Sequence, residues 1–357
     1  MSSADGAVST TRLLAAQTLD PARAVRDSGR FRTWVLIYVG LSVLLAALSL
    51  VVGTSSLRTS IHWLLSPDTF SNAVLWDIRL PRTLGAWSAG ALLGLAGAIA
   101  QSVFRNPLAD PYLLGSATGA ALGVTVSLLA TDASMAGFAW LGQLGLTGAA
   151  FVGASAGVAL TLALSRGALQ TPSLLLAGVV VAFLLGAFTS LLLLSSPEIW
   201  RTMQSFMLGS TSFLGWRAVV LLAVILVVSL PPSALLSRGL DALTLGEDTA
   251  LSLGIPLGAL RLALLGLLSL TTAAAVSQVG VVGFVGLVAP HLVRESAHVN
   301  SRQLVIAAPL CGGALLQAAD IVSRCIIRPS ELPVGVVTAC LGGTYLVLLL
   351  WRKARRE

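Results

Sequence analysis

Side chains able to do chemistry are sparse in this chain, and most of them fall in a few short segments. Arg79 and Arg82 stand in an RLPR run, and Arg324 closes a DIVSR run. Asn106, Leu108 and Asp110 belong to RNPLADP (105–111), where two prolines interrupt helix geometry and the Asn and Asp can cap a restarted helix. His291 lies in GVVGFVGLVAPHLVR (280–294), beside Pro290, and suits hydrogen bonding to carbonyls freed at a helix end. The chain contains no Walker A loop, no H-E-x-x-H, no nucleophile elbow and no carboxylate cluster inside an apolar run. Its three cysteines, Cys311, Cys325 and Cys340, lack a C-x-x-C spacing and read as packing residues. No catalytic residue, metal ligand or cofactor is expected.

The most informative segment is DALTLGEDTALSLGI (241–255). Ala242, Leu243, Leu245, Ala250, Leu251 and Leu253 suit two short helices joined at Gly246, with Glu247 and Asp248 on the rim and Gly254 ending the run. A tether would be polar throughout, whereas apolar knobs with an acidic rim fit a groove on another protein. A helix lying on a membrane surface would be basic instead.

The elements holding these segments must be membrane spans. Of 357 residues 56% are hydrophobic and 10% charged, and mean hydropathy is +0.90. Soluble domains carry about 25% charged residues, so a soluble enzyme is excluded. The 35 glycines favour close helix packing in lipid. The net charge of +7 comes from arginines scattered between apolar runs, which mark membrane topology and not a nucleic-acid surface.

A helix needs about 20 apolar residues to cross the hydrocarbon core. Uncharged intervals give spans within 33–57, 83–104, 111–131, 143–165, 171–195 and 218–237. The interval 262–293, broken by Gly280, Gly283 and Gly286, holds one long and one short span, and 303–319 and 332–351 supply two more. The segment 202–216 is too short to cross and reads as interfacial. The expected fold is therefore an all-α polytopic membrane protein of ten spans, with residues 1–30 as a cytoplasmic tail, 31–357 as one transmembrane domain and 239–258 as a cytoplasmic loop. With both termini inside, basic residues concentrate on inner segments, while Arg58, Arg79, Arg82, Arg201, Arg217, Arg324 and Arg328 fall outside. Segments 84–105 and 262–283 also resemble each other: both are Gly/Ala/Leu-rich, carry a late Gln (Gln101, Gln278) and run into a Gly/Pro-bearing break. Four spans from each would form two inverted halves, an arrangement common in transporters.

Together, residues 79–123, the loop LGEDTALSLGI, the GFVGLVAPHLVR run and the ending ADIVSR…ELPVGVVTACLGGTYL (319–346) resemble the permease subunits of bacterial type II ABC importers for iron–siderophore chelates, haem and cobalamin. The resemblance covers roughly residues 34–352. It implies a homodimer in the bacterial inner membrane, two cytoplasmic ABC ATPase subunits and a periplasmic substrate-binding protein. Arg79, Arg82 and Arg324 match the family's docking positions for carboxylates of the binding protein. Leu243, Leu245, Gly246, Glu247, Asp248, Leu251, Leu253 and Gly254 match the loop that couples to the ATPase. Asn106 and Leu108 match the inner mouth of the translocation path, and Gln170 and Thr171 its gate, although Gln170 and Pro172 depart from the small hydroxyl residues usual there.

The alternative is an ion-coupled secondary transporter complete in one chain. That needs a buried ionisable residue near mid-membrane, and Asp132 and Asp320 lie at span edges. A path of Ala, Gly, Ser, Thr and Leu suits a bulky chelate, with haem favoured over ferric siderophore and cobalamin.

Overall fold

A computed structural model describes residues 21–52, 69–130, 139–165, 171–194, 196–297, 299–327 and 329–355. Among these residues the secondary structure is helical throughout. Helix α1 is Pro21–Val51, so it begins inside the segment read as a tail; residues 1–20 lie outside the described ones. A short helix Thr69–Ala73 and a π-helical turn Val74–Arg79 lead directly into α2, Leu80–Val103. After a 3-10 turn, Pro111–Leu114, come α3 Ser116–Ala130, α4 Ala139–Leu164, α5 Thr171–Leu193, α6 Pro197–Leu208 and α7 Trp216–Leu235. Then follow α8 Ser237–Thr244, α9 Glu247–Ser252, α10 Leu257–Val279, α11 Val285–Ser296, α12 Ser301–Cys325 and α13 Val334–Ala354.

Eight helices among the described residues are long and apolar enough to cross a membrane: α1, α2, α4, α5, α7, α10, α12 and α13. The other two of the ten expected elements, α3 and α11, have 15 and 12 residues. At 1.5 Å per residue they reach about 22 and 18 Å, short of a roughly 30 Å core. Among the described residues the ten expected elements thus appear as eight helices long enough to cross and two shorter ones. Helix α6 begins before the segment 202–216 read as too short to cross and ends within it, at Leu208.

Helix α2 forms the centre. From Pro81 to Val103 nearly every residue is buried, against α12, α10, α11 and α7. Its small residues make this possible: a Cβ on Gly90 would overlap the Gly312 carbonyl of α12, and one on Gly97 would overlap that of Gly286 in α11. In lipid, where apolar burial gives little drive between helices, such backbone proximity supplies the packing. By contrast α5 leaves Leu176, Phe183 and Leu191 exposed along its length.

The two broken units are alike. Helix α2 ends in a non-helical stretch before the short α3, and α10 ends in residues 280–284 before the short α11. The breaks meet: the Tyr112 hydroxyl donates to the Val282 carbonyl at 3.1 Å and accepts from the Val282 N–H at 3.3 Å. A Cβ on Gly286 would also strike the Pro111 ring. Each break therefore supplies polar partners to the other, the condition under which irregular backbone persists at membrane depth.

Candidate functional site

One end of the bundle is built from α8 and α9. Gly246, at φ 116°, adopts a backbone that other residues resist, and it turns the chain between the two helices. Leu240, Ala242 and Leu243 pack into the core with Leu257, Leu260 and Leu264 of α10. Leu245, Leu251 and Leu253 point away and are 69%, 56% and 63% exposed. The expected two short helices are present; of the six apolar positions, Leu245, Leu251 and Leu253 form knobs, while Ala242, Leu243 and Ala250 belong to the buried base. The loop is fixed at both flanks. Asp241 Oδ1 accepts the Ser301 N–H at the start of α12 at 2.9 Å. Glu247 Oε1 accepts from Arg261 Nη2 of α10 at 2.6 Å and from Arg105 Nη2 at 3.3 Å.

Arg105 opens the stretch between α2 and the 3-10 turn, and its φ of 50° is unusual for a residue with a side chain. This stretch is internally braced. The Asn106 N–H donates to the Gln101 carbonyl at 3.1 Å, and Asn106 Oδ1 accepts the Leu108 N–H at 2.9 Å. Asp110 Oδ1 caps the 3-10 turn through the Tyr112 N–H at 2.8 Å. Leu108 is left exposed at the tip. Asn106 and Leu108 thus share one rigid loop beside α9. Gln170 lies outside the described residues, and Thr171 is the first residue of α5.

At the opposite end the three arginines are not arranged as expected. Arg79, Arg82 and Arg324 are buried, at 6%, 8% and 2% exposure, and each is committed to partners within the chain. Arg82 pairs with Asp320 at 2.8 Å and with Glu331 at 2.9 Å. Arg324 pairs with the other Asp320 oxygen at 2.7 Å and donates to the carbonyl of Val52 at 2.9 Å. Arg79 donates to the Leu50 carbonyl at 2.7 Å. Thr211 also donates to Asp320, and Ser212 to Glu331. The physical reason is that charges removed from water must find countercharge and hydrogen bonds. Burial pushes the Glu331 carboxyl up, but the hydrogen bonds from Arg82 and Ser212 outweigh it and hold the group below the usual carboxylate range. This cluster ties α1, α2, α12 and the turn before α13 together.

Sequence reasoning missed Asp320, Glu331, Thr211, Arg105 and Arg261 as members of these networks. The four-residue spacing of Asp320 and Arg324 on one helix face was a visible signal; the others come from distant segments. His291 packs edge-on to Tyr345 at 5.9 Å, with Glu295 3.7 Å from its Nε2.

A model of the FecCD transport family matches residues 40–352. The vitamin B12 import system permease protein BtuC of Escherichia coli O6:H1 (strain CFT073) is 34% identical over 326 residues, covering 90% of this chain and 96% of the relative. Its counterpart in Escherichia coli O8 (strain IAI1) is 33% identical over 326 residues with the same coverage of 90% and 96%. Among solved structures, one described as an inward-facing conformation of a metal-chelate type ABC transporter aligns with TM-score 0.78 and 28% identity, covering 89% of this chain and 98% of that one. PsaBC from Streptococcus pneumoniae, at 15% identity and TM-score 0.54 over 82% of this chain, shares the fold.

Proposed function

We propose, from the premise that the chain belongs to the FecCD transport family, that it carries a bulky metal chelate inward along an axis between two copies of itself. It is a multi-pass transport permease of the type II ABC importer class. Energy is supplied by two separate ATPase subunits that seat on α8–α9, on the cytoplasmic side of the inner membrane. The observation that carries this reading is the exposure of Leu245, Leu251 and Leu253 above a buried base and beside the acidic Glu247 and Asp248. Such a surface is costly in water and fits a groove on another protein.

A periplasmic binding protein delivers the chelate to the opposite end. With their guanidinium groups paired internally, Arg79, Arg82 and Arg324 serve that docking by holding the face in shape rather than by presenting free charge. Asn106 and Leu108 border the inner mouth, with Gln170 and Thr171 at the gate. Both termini are cytoplasmic. Movement between outward- and inward-open states uses the paired breaks at 104–115 and 280–284, where helical hydrogen bonding is already interrupted and a rearrangement breaks few bonds. Cobalamin is named for the import systems of relatives that match 90% of this chain, and this favours a corrinoid over the haem favoured by the sequence reading.

The test is reconstitution into proteoliposomes with the ATPase and the binding protein, followed by uptake of cobalamin, haem and a ferric siderophore. ATP-dependent uptake of cobalamin is expected. Accumulation driven by a proton or sodium gradient without the ATPase would instead establish the secondary-transporter alternative.

A further inference from the structure

We infer that Glu247 is a positioning residue that carries movement of the coupling helices to the inner-mouth loop, through one carboxylate oxygen shared by Arg261 and Arg105. The inference rests on the reading that α8–α9 receive an ATPase, and it adds the route by which that contact reaches Leu108.

The two arms of the contact differ. Arg261 sits in the second turn of α10, its side chain 3% exposed, and it holds Glu247 Oε1 at 2.6 Å. That arm is the anchor, because a short charge-assisted contact at a buried guanidinium is strong and little screened by water. The Arg105 arm reaches the same oxygen at 3.3 Å, with 40% of the Arg105 side chain exposed. It is longer and more hydrated, hence weaker and reversible. An anchored carboxylate with one firm and one releasable partner is suited to a linkage that must change length during a cycle.

The geometry on either side completes the linkage. Glu247 is the first residue of α9 and lies directly after Gly246, whose φ of 116° fixes the direction in which α9 leaves α8. The exposed Leu251 and Leu253 follow within the same short helix and its end, so a force applied to them turns α9 about the Arg261 anchor and alters the longer Arg105 arm. On the other side, Arg105 and Leu108 belong to a loop whose own hydrogen bonds, from Asn106 to Gln101 and from Leu108 to Asn106, make it move as a unit. No other side-chain ion pair among the described residues joins α8–α9 to the 104–110 stretch.

The experiment places a bimane fluorophore on Leu108→Cys, with Cys311, Cys325 and Cys340 replaced by Ser, in the permease–ATPase complex in nanodiscs. Emission is read without nucleotide and with ATP, for Glu247 intact and for Arg105→Gln and Arg105→Lys. Arg105→Gln should keep co-purification with the ATPase but lower the ATP-induced change in emission about two- to five-fold, the range expected for loss of an exposed ion pair. Arg105→Lys, which keeps the charge, should recover most of it, and added salt should diminish the response of the intact protein. A full ATP response in Arg105→Gln, with co-purification intact, would overturn the linkage alone. Failure of the unmodified chain to hold an ATPase at all would overturn the underlying reading, and the linkage with it.

Discussion

Arg82 and Asp320 are 238 positions apart in the chain, and their side chains meet at 2.8 Å in a pocket closed to water. Arg324 occupies the second oxygen of the same carboxylate at 2.7 Å. Two cations on one anion, with Glu331 balancing the excess, make a charge cluster that is close to neutral. Removing any one member exposes the others to a medium that solvates them poorly.

Asp320→Ala should therefore destabilise the fold more than a surface change. Loss of one partner of a buried pair typically costs about 3–5 kcal/mol, here because two arginines lose their shared countercharge. Thermal unfolding in detergent should show a marked decrease in Tm, whereas Asp248→Ala on the exposed rim should leave it nearly unchanged. Equal Tm values for the two variants would refute the structural role.

The same cluster gives a pH dependence through Glu331. Its carboxyl is held below the usual value of 4.5 by Arg82 and Ser212, against the effect of burial. A depressed folded-state pKa means the contribution is fully present above the unfolded value and is lost as pH falls through the folded one. Stability should hold from pH 7 to about 5 and fall below about 4.5. Glu331→Gln should flatten part of that acid limb when Tm is followed from pH 7 to pH 4.

Leu253→Asp tests the coupling surface without touching the core, since this side chain is 63% exposed. The variant should insert and unfold like the unmodified protein. It should lose co-purification with the ATPase, because a charge buried in a partner's apolar groove costs several kcal/mol. Retained binding and ligand-stimulated hydrolysis would reduce α8–α9 to a tether.

Tyr112→Phe removes a hydroxyl that bridges the two broken helices. Both Val282 backbone groups then lose a partner, at a cost of about 1–3 kcal/mol. Hydrogen exchange should rise in 104–115 and 280–286 together and stay unchanged in α7. An increase confined to one segment would show that the breaks are held independently.

If two copies enclose the path as proposed, Leu108→Cys, in a background without the native cysteines, should crosslink one copy to the other, with a yield that differs between nucleotide-free and ATP-bound complexes. Identical yields would return Leu108 to a packing role.

The sequence alone determined the class of protein, the order of its long apolar helices, the position of the two short helices around Gly246 and the places where helices break. These properties are local: hydrocarbon thickness sets a run length, lipid forces backbone hydrogen bonds inside the helix, and Pro and Gly mark where that condition fails. The pattern Leu245, Leu251, Leu253 around Gly246 was likewise readable, because it is complete within a dozen residues. Tertiary structure decided the rest. In spans apolar on every side, composition does not distinguish the buried face of α2 from the exposed face of α5, so only packing showed α2 to be central. The partners of Arg82 were hidden in sequence because Asp320 and Glu331 enter from the far end of the chain, whereas Asp320 stands one helical turn from Arg324; the fold brought these charges together and buried them. The contacts of Tyr112 with Val282 and of Glu247 with Arg105 depend on how two breaks and two loops come to lie side by side. Their separations, 170 and 142 positions, are beyond the reach of any periodicity along the chain.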